Sequence, residues 1–187
     1  MEGKVIAITG GASGIGLATA KLLASRGARI SIGDVSQESL DKAIPEIEAA
    51  SKAGNDILAT QLDVRDLASV NSWVKKTVDK FGKLNGAANL AGTMGKNWSP
   101  KSIKDLAVDD WEFVLAVNLT GVMNCLKEEL KVMQRGGSIV NAASIAGMTG
   151  SPYIAAYCVS KWGVIGLTKV AAKEEGKNGI RVNAIAP

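Results

Sequence analysis

Tyr157 and Lys161 are the two side chains whose types and spacing most clearly suggest chemistry. They lie four residues apart in a segment predicted to be helical, so both face the same side of the helix. A phenol normally has a pKa of about 10, and a neighbouring ammonium stabilises the phenolate and lowers that pKa. Such a tyrosine can exchange a proton with an alcohol or ketone oxygen. A surface Tyr/Lys pair without any chemistry would have the same spacing.

Ser144 comes directly after a different predicted segment, a strand over residues 138–143. Its hydroxyl could donate a hydrogen bond to the same substrate oxygen that the tyrosine would protonate. Combined with a glycine-rich turn at residues 10–16 and with Asp34 in a chain of alternating strands and helices, the three side chains predict proton transfer at a carbonyl or alcohol group.

A glycine-rich turn follows the first apolar run, which extends from Val5 to Ile8 and stops at Thr9. Its glycines are Gly10, Gly11, Gly14 and Gly16, and the next residues, 15–25, have the apolar spacing of a helix. Backbone N–H groups at a helix N-terminus, with no β-carbons in the way, allow close approach of a diphosphate. The spacing is G-x-x-x-G-x-G and differs from the general G-x-G-x-x-G fingerprint, so an ordinary tight turn stays an alternative.

Asp34 ends the second predicted strand, eighteen residues after Gly16, where an acidic side chain would meet the ribose of a dinucleotide. Its carboxylate would accept hydrogen bonds from ribose hydroxyls and repel a 2′-phosphate, which favours NAD over NADP. Asp63 follows the third strand and would reach an adenine edge. Each aspartate could also simply form a turn.

Composition excludes several classes of site. The chain has no histidine, so a Ser-His-Asp triad, a His-ligated metal and an imidazole base are all excluded. Its two cysteines predict neither a disulfide framework nor a metal pair. The net charge of +4 is scattered over helices without a basic block, which argues against nucleic acid as a partner. The absence of a signal-type or membrane-spanning apolar run predicts a cytoplasmic protein with no membrane partner.

Strands and helices alternate along the whole chain, which predicts one α/β domain over residues 1–187. Strands are expected over 5–9, 28–33, 57–64, 84–90, 138–143 and 180–186, and helices over 15–25, 36–53, 66–81, 109–134 and 155–173. Pro45 predicts an interruption or a helix start within the second helix, and Gly54 its end. Right-handed crossovers then give a parallel sheet with helices on both faces.

The carboxyl ends of parallel strands meet at one edge of the sheet, where ligands bind. Polar residues end five of the predicted strands, and we expect them to gather there: Thr9, Asp34, Asp63, Asn89 and Ser144.

In order and over its whole length, the chain resembles the short-chain dehydrogenase/reductase family. The matching motifs are TGGASGIG at residues 9–16, Asp34, Asp-Val at 63–64, NLAG at 89–92, Asn118, Ser144, YCVSK at 157–161 and RVNAIAP at 181–187. The resemblance implies a Rossmann-type, doubly wound fold, a nicotinamide cofactor, and reversible oxidation of a secondary alcohol to a ketone by hydride transfer.

The resemblance also implies a role for individual residues. Tyr157 would be the general acid/base, Lys161 would bind the nicotinamide ribose and lower the tyrosine pKa, and Ser144 would hold the substrate oxygen. Asn118 would anchor a water that relays protons towards Lys161; without the resemblance it reads as a polar residue tolerated in an apolar helix. The cofactor would be surrounded by Gly10, Ser13, Gly14, Ile15, Gly16, Asp34, Asp63, Val64, Asn89, Ala91 and Gly92, together with Tyr157 and Lys161.

The sequence departs from the family pattern in two places. The family's asparagine pair before Ala-Gly is Asn89-Leu90 here. The family also continues beyond the position of Pro187 with a substrate-covering loop and a seventh strand. We therefore expect the sixth strand to be a sheet edge, and a non-catalytic nucleotide- or partner-binding protein remains the alternative to an active enzyme.

The helix at 155–173 carries a broad apolar face opposite Tyr157 and Lys161. This face includes Ala155, Val159, Trp162, Gly163, Gly166 and Val170. The helix could simply be buried within its own domain. The family's habit of pairing this helix and the one before it across a two-fold axis implies a homodimer or homotetramer.

Overall fold

The computed structural model describes residues 1–52, 57–96 and 100–187, and a six-stranded sheet forms among them. The strands are β1 (Val5–Thr9), β2 (Arg29–Asp34), β3 (Ile57–Gln61), β4 (Gly86–Asn89), β5 (Ser138–Ala142) and β6 (Arg181–Ile185). All neighbouring pairs are parallel, in the order β3-β2-β1-β4-β5-β6. The predicted parallel α/β sheet is therefore confirmed, with β6 at one edge.

Helices alternate with these strands along the chain. They are α1 (Gly14–Ser25), α2 (Gln37–Ala50), α3 (Leu67–Phe81), α4 (Val108–Leu115), α5 (Gly121–Val132) and α6 (Ala155–Glu175), with short 3-10 turns at Ile103–Asp105, Ile145–Gly147 and Gly176–Asn178. Within the described ranges, none of these helices combines the length and the apolarity needed to cross a bilayer.

Helices pack against both faces of the sheet, because successive side chains of each strand point to opposite faces. Ile8 and Ile32 are fully buried in a core shared with Ala20, Leu40 and Ile47 of α1 and α2. On the other face of the sheet, the strand residues Val5, Ala7 and Ile139 share a second core with residues of α3, α5 and α6, which include Trp73, Leu126 and Val164. This double coverage is the doubly wound arrangement that the resemblance implied.

The strand order changes direction between β1 and β4, which pair directly with Thr9 opposite Asn89. Crossovers from β1 lead outwards to β2 and β3, whereas β4, β5 and β6 lie on the other side. The two sets of connections therefore diverge here and leave a crevice at the carboxyl edge of the sheet.

Pro45 does not interrupt the second helix, and the expectation of a break or a start there is wrong. α2 runs without a break from Gln37 to Ala50 with Pro45 inside it. The proline is exposed, so the carbonyl that it leaves unpaired can face water, while Leu40, Ala43 and Ile47 anchor the helix on both sides of it. The expected end at Gly54 lies outside the described residues.

The predicted helix over 109–134 is divided in two by a π-helical turn, Ala116–Thr120. This turn inserts extra backbone between α4 and α5, and such insertions are frequent at functional sites. Asn118 lies at its centre. The third and fourth strands are shorter than expected, so Leu62, Asp63, Val64 and Leu90 follow their strands and line the edge of the sheet instead.

Candidate active site

A cleft of about 480 Å³ lies at the carboxyl edge of the sheet, where the order of the strands changes. It is lined by Gly10, Ser13, Gly14, Ile15, Gly16, Asp34, Asp63, Val64, Ala91 and Gly92, all predicted from the sequence, and by Gly33, Val35, Leu62, Arg65, Leu90, Thr93, Phe113 and Val117. We call it the carboxyl-edge cleft. Asn89, Tyr157 and Lys161 do not line it.

The glycine turn, residues 10–16, brings bare backbone to one end of this cleft. Gly10 has a φ of +64°, and a β-carbon at Gly16 would lie only 2.0 Å from the Gly10 carbonyl oxygen. Ser13 is the N-cap of α1, yet its side chain makes no capping hydrogen bond. The first turn of α1 therefore presents backbone N–H groups and the positive end of its dipole to the cleft.

Asp34 lies at the rim of the cleft and is tied to the glycine turn. Its Oδ2 accepts a hydrogen bond from the Ala12 N–H and its Oδ1 accepts one from the Ser36 N–H, each at 3.2 Å. A carboxylate oxygen has more than one acceptor direction, so both oxygens can accept further hydrogen bonds from a ligand in the cleft.

Asp63 is engaged by Arg65, a residue that the sequence reasoning missed. Arg65 donates from Nε and Nη2 to both carboxylate oxygens, at 2.6 Å for the shortest contact, and the hydrogen bonds hold the pKa of Asp63 below its usual range. The guanidinium also lies 5.3 Å from the centre of the Phe113 ring. Arg65 and Phe113 thus form the wall of the cleft at which an adenine was expected.

Tyr157 and Lys161 lie on one face of α6, as predicted. The Lys161 Nζ is 5.4 Å from the centre of the Tyr157 ring and donates a 2.8 Å hydrogen bond to the Ala142 carbonyl oxygen at the end of β5. Burial lowers the pKa of Lys161 to about 8, because removal from water disfavours its charged form. A β-carbon at Gly92 would lie 3.5 Å from this Nζ, so Lys161 adjoins the carboxyl-edge cleft from the side of α6.

Asn118 is completely buried and joins three parts of the site. Its Oδ1 accepts from the Thr93 N–H and its Nδ2 donates to the Thr93 carbonyl oxygen, both at 2.8 Å. The same Nδ2 donates to Ser160 Oγ at 3.1 Å, and Ser160 Oγ donates to the Tyr157 carbonyl oxygen at 2.7 Å. The π-helical turn thereby fixes the segment after β4 relative to the tyrosine.

Ser144 caps the 3-10 turn that follows β5. Its Oγ accepts from the Ala146 N–H and donates to the Pro187 carbonyl oxygen, each at 3.3 Å. Both contacts are long, so the hydroxyl can exchange them for a shorter hydrogen bond.

Asn89 points away from the cleft and into the core, although the resemblance placed it beside a cofactor. Its Nδ2 donates to Glu129 Oε2 at 3.1 Å and to Asn141 Oδ1 at 3.0 Å. Its side chain is therefore engaged in the core, and the place of Asn89 beside a cofactor stays a prediction. Glu129 escaped the sequence reasoning, but it falls in the buried stripe of α5 with Val122, Cys125 and Leu126, and that spacing was the available signal.

The chain is similar to known proteins over almost its whole length. The family model described as short chain dehydrogenase matches residues 4–187. The short-chain dehydrogenase/reductase aba4 of Botryotinia fuckeliana (strain B05.10) is 55% identical over 184 residues, which cover 98% of this chain and 70% of that protein. The levodione reductase of Leifsonia aquatica is 41% identical over 187 residues, covering 98% of this chain and 68% of that protein.

A solved structure of NAD+-bound xylitol dehydrogenase superposes with a TM-score of 0.92 at 37% identity, over 100% of this chain and 70% of that one. The fold and the family match agree. The chain belongs to the short-chain dehydrogenase/reductase family of NAD(P)-dependent oxidoreductases.

Proposed function

We propose that this protein interconverts a secondary alcohol and a ketone, with Tyr157 as the general acid/base. The observation that carries the proposal is the buried Lys161 ammonium, 5.4 Å from the Tyr157 ring and adjacent to Gly92 of the carboxyl-edge cleft. This position lets one ammonium stabilise the Tyr157 phenolate and also reach a ligand in the cleft. A surface Tyr/Lys pair would be solvated, whereas Lys161 is 4% exposed.

A nicotinamide dinucleotide fits the carboxyl-edge cleft. Its diphosphate would lie against the glycine turn, where Gly16 has no room for a β-carbon and the N-terminus of α1 has no side-chain cap. When bound, the cofactor supplies a hydride acceptor or donor. The chain's own residues do the remaining work, which is to orient the substrate oxygen and to move its proton.

During alcohol oxidation, the Tyr157 phenolate would accept the hydroxyl proton, and during ketone reduction the phenol would return it. Ser144 would donate a hydrogen bond to the same oxygen. Lys161 would favour the phenolate through its charge and bind the nicotinamide ribose. Asn118 would position Tyr157 from the π-helical turn through Ser160. As the resemblance implied, it would also anchor a water in a proton relay to Lys161.

We infer that NAD is preferred over NADP. Asp34 places a carboxylate at the cleft rim next to Ala12, where a 2′-phosphate would be repelled. Arg65, the cation among the described residues that line the cleft, is engaged by Asp63.

We infer that the substrate is a small or medium, fairly apolar secondary alcohol or ketone. The loops around Tyr157 expose apolar side chains: Ile145 is 63% exposed, and Met148 and Tyr153 are each 60% exposed. Met94 and Tyr153 also border a small pocket that Tyr157 lines. These surfaces favour an apolar ligand over a highly polar one. A relative named levodione reductase supplies a first ketone to test.

We propose further that the protein is a cytoplasmic homodimer or homotetramer built on α6. Trp162, Val159 and Val170 on this helix are 53%, 46% and 51% exposed, which supports the interpretation that a partner covers this face over burial within the domain. Both cysteines, Cys125 and Cys158, are free thiols, as expected in a reducing compartment.

Substitution of Tyr157 by Phe tests the proposed mechanism because it removes only the hydroxyl that would carry the proton. We expect turnover of levodione with NADH to fall by on the order of a hundredfold or more, while the Kd for NADH stays nearly constant. Steady-state kinetics and quenching of nicotinamide fluorescence measure the two quantities. Unchanged turnover in the Phe variant would refute the role of Tyr157.

A further inference from the structure

Glu129 is a buried carboxyl that the proposed reaction does not use. It lies on α5 beneath the end of β4 with no exposed surface, and its Oε2 accepts the hydrogen bond from Asn89 Nδ2. Among the residues that the structure describes, its other oxygen, Oε1, has no hydrogen-bond partner, and neither has Asn89 Oδ1. Two acceptors are thus left unpaired on two side chains that are already bonded to each other.

A proton on Glu129 would resolve this deficit. Protonation turns one carboxyl oxygen into a donor, and Asn89 Oδ1 is an acceptor without a donor. A neutral acid and an amide can then pair through two hydrogen bonds, whereas an ionised Glu129 leaves a buried charge with a single donor. Burial accordingly raises the pKa of Glu129 to about 7, opposed only by the hydrogen bond from Asn89.

No cation in the described part of the chain compensates a charge on Glu129. The two strands beside it, β4 and β5, contain no titratable residue. Cys125, one turn away on α5, is a buried thiol whose pKa is raised by burial and by Glu129. Several charged groups of the surrounding helices have other partners: Lys161 donates to the Ala142 carbonyl oxygen, Glu128 is paired with Lys131 and Asn71, and Lys75 is paired with Asp79. The others are half-buried, in the case of Glu175, or exposed at the surface: Lys76, Lys80, Lys127, Lys169, Lys173 and Glu174.

Asn89 connects Glu129 to the segment that borders the carboxyl-edge cleft. It is the last residue of β4, and the next residues, Leu90 and Ala91, donate their N–H groups to Thr9 Oγ1 and line the cleft. The glycine turn packs closely on this segment, since a β-carbon at Gly10 would lie 2.9 Å from the Ala91 Cα. A displacement of Asn89 would therefore be transmitted to both sides of the cleft.

The same network reaches the helix that carries Tyr157. Asn89 donates to Asn141 Oδ1, and Asn141 Nδ2 donates to Thr168 Oγ1 on α6 at 3.0 Å. Glu129 is thus the first member of a row of hydrogen-bonded, buried polar side chains that runs from α5 through β4 and β5 to α6.

We propose that Glu129 is a positioning residue: its protonated carboxyl holds Asn89, and through it the segment of residues 90–92, in the arrangement that binds the cofactor, and its ionisation loosens that arrangement. The inference rests on the proposed dinucleotide site. Its consequence is that NADH binds more weakly above the pKa of Glu129 than below it.

The substitution Glu129→Gln tests this, because a glutamine offers an N–H donor and a carbonyl acceptor in place of the neutral acid and cannot ionise. Between about pH 6 and about pH 9, we expect the Kd for NADH to rise about tenfold more in the wild-type protein than in this variant. Glu128→Gln is the matched control, because it removes the neighbouring carboxylate outside the network and should retain the wild-type pH dependence. An identical pH dependence in the wild-type protein and in Glu129→Gln would overturn the proposal.

Infrared spectroscopy provides a readout that needs no cofactor. At about pH 6 the wild-type protein should show the C=O stretch of a protonated carboxylic acid, which disappears as the pH rises through about 7 and is absent from Glu129→Gln. If that variant does not fold, the titration of the band in the wild-type protein still shows whether a buried carboxyl loses its proton near pH 7. Absence of the band refutes the proposal. Failure of NADH to bind at either pH, with the band present, would instead count against the proposed cofactor site and, with it, the positioning role.

Discussion

Asp34 holds the glycine turn and faces the carboxyl-edge cleft with the same carboxylate. The sequence left open whether this aspartate forms a turn or binds a ribose. Its hydrogen bonds from Ala12 and Ser36 confirm the first interpretation, and the second stays a prediction. The two interpretations can be separated by experiment, because only ribose binding would distinguish NADH from NADPH.

Substitution of Asp34 by Ala should weaken NADH binding by about tenfold or more and NADPH binding by less, because ribose hydroxyls lose a charged acceptor while a 2′-phosphate loses a repulsive neighbour. Fluorescence titration with each cofactor measures the two affinities. Asp66→Ala is a suitable control, since it removes a carboxylate that caps α3 through the Ala68 N–H outside the cleft and should cost about 1 kcal/mol of stability. Equal losses for the two cofactors in Asp34→Ala would contradict the assigned preference.

Local sequence could predict the residues whose position depends on a single element. Tyr157 and Lys161 share a helix face because they are four residues apart, and Asp34 is the last residue of its strand. Arg65 could not be found in this way, and for Glu129 the available signal was its spacing from the buried apolar residues of α5. Arg65 matters because a turn after β3 folds it back onto Asp63, and Glu129 next to Glu128 looks like part of a solvated helix surface until the packing of α5 against β4 is known.

The elements themselves differ from the sequence prediction where a helix is irregular. Pro45 lies within α2, and the π-helical turn at Ala116–Thr120 divides the predicted long helix. Both depend on tertiary contacts: the stripe of Leu40, Ala43 and Ile47 retains the helix despite the proline, and Asn118 is bonded to Thr93 within the turn. Hydrophobic periodicity reports which face is buried and cannot register an inserted residue that keeps that face inside.

The exposed face of α6 gives a prediction at the scale of this element. Trp162→Glu should convert the proposed oligomer to monomers, because it places a charge in an apolar interface, and the fold of each monomer should be retained, since Trp162 is half-exposed. Sedimentation velocity measures the assembly state, and circular dichroism checks the fold. Ser72→Glu on the exposed surface of α3 adds the same charge and should leave the oligomer intact. A monomeric wild-type protein would contradict the proposed assembly.

At the scale of the whole molecule, the sheet brings two cores together at β1 and β4. The core under α1 and α2 supports the glycine turn and Asp34, and the core under α3, α5 and α6 supports Asn118, Tyr157 and Lys161. The alternation of strands and helices made this architecture predictable from the sequence. The buried row from Glu129 to Thr168 was not predictable, because its members come from four separate elements.

Cofactor binding in the carboxyl-edge cleft underlies both the proposed reaction and the proposed role of Glu129. Titration with NADH and then NADPH, followed by nicotinamide fluorescence and thermal unfolding, tests it in one experiment. We predict saturable binding with NADH preferred, and a gain of about 2.7 kcal/mol in the free energy of unfolding when NADH is at a hundredfold excess over its Kd. A folded protein whose unfolding transition neither cofactor shifts would contradict the assignment of the carboxyl-edge cleft as a dinucleotide site.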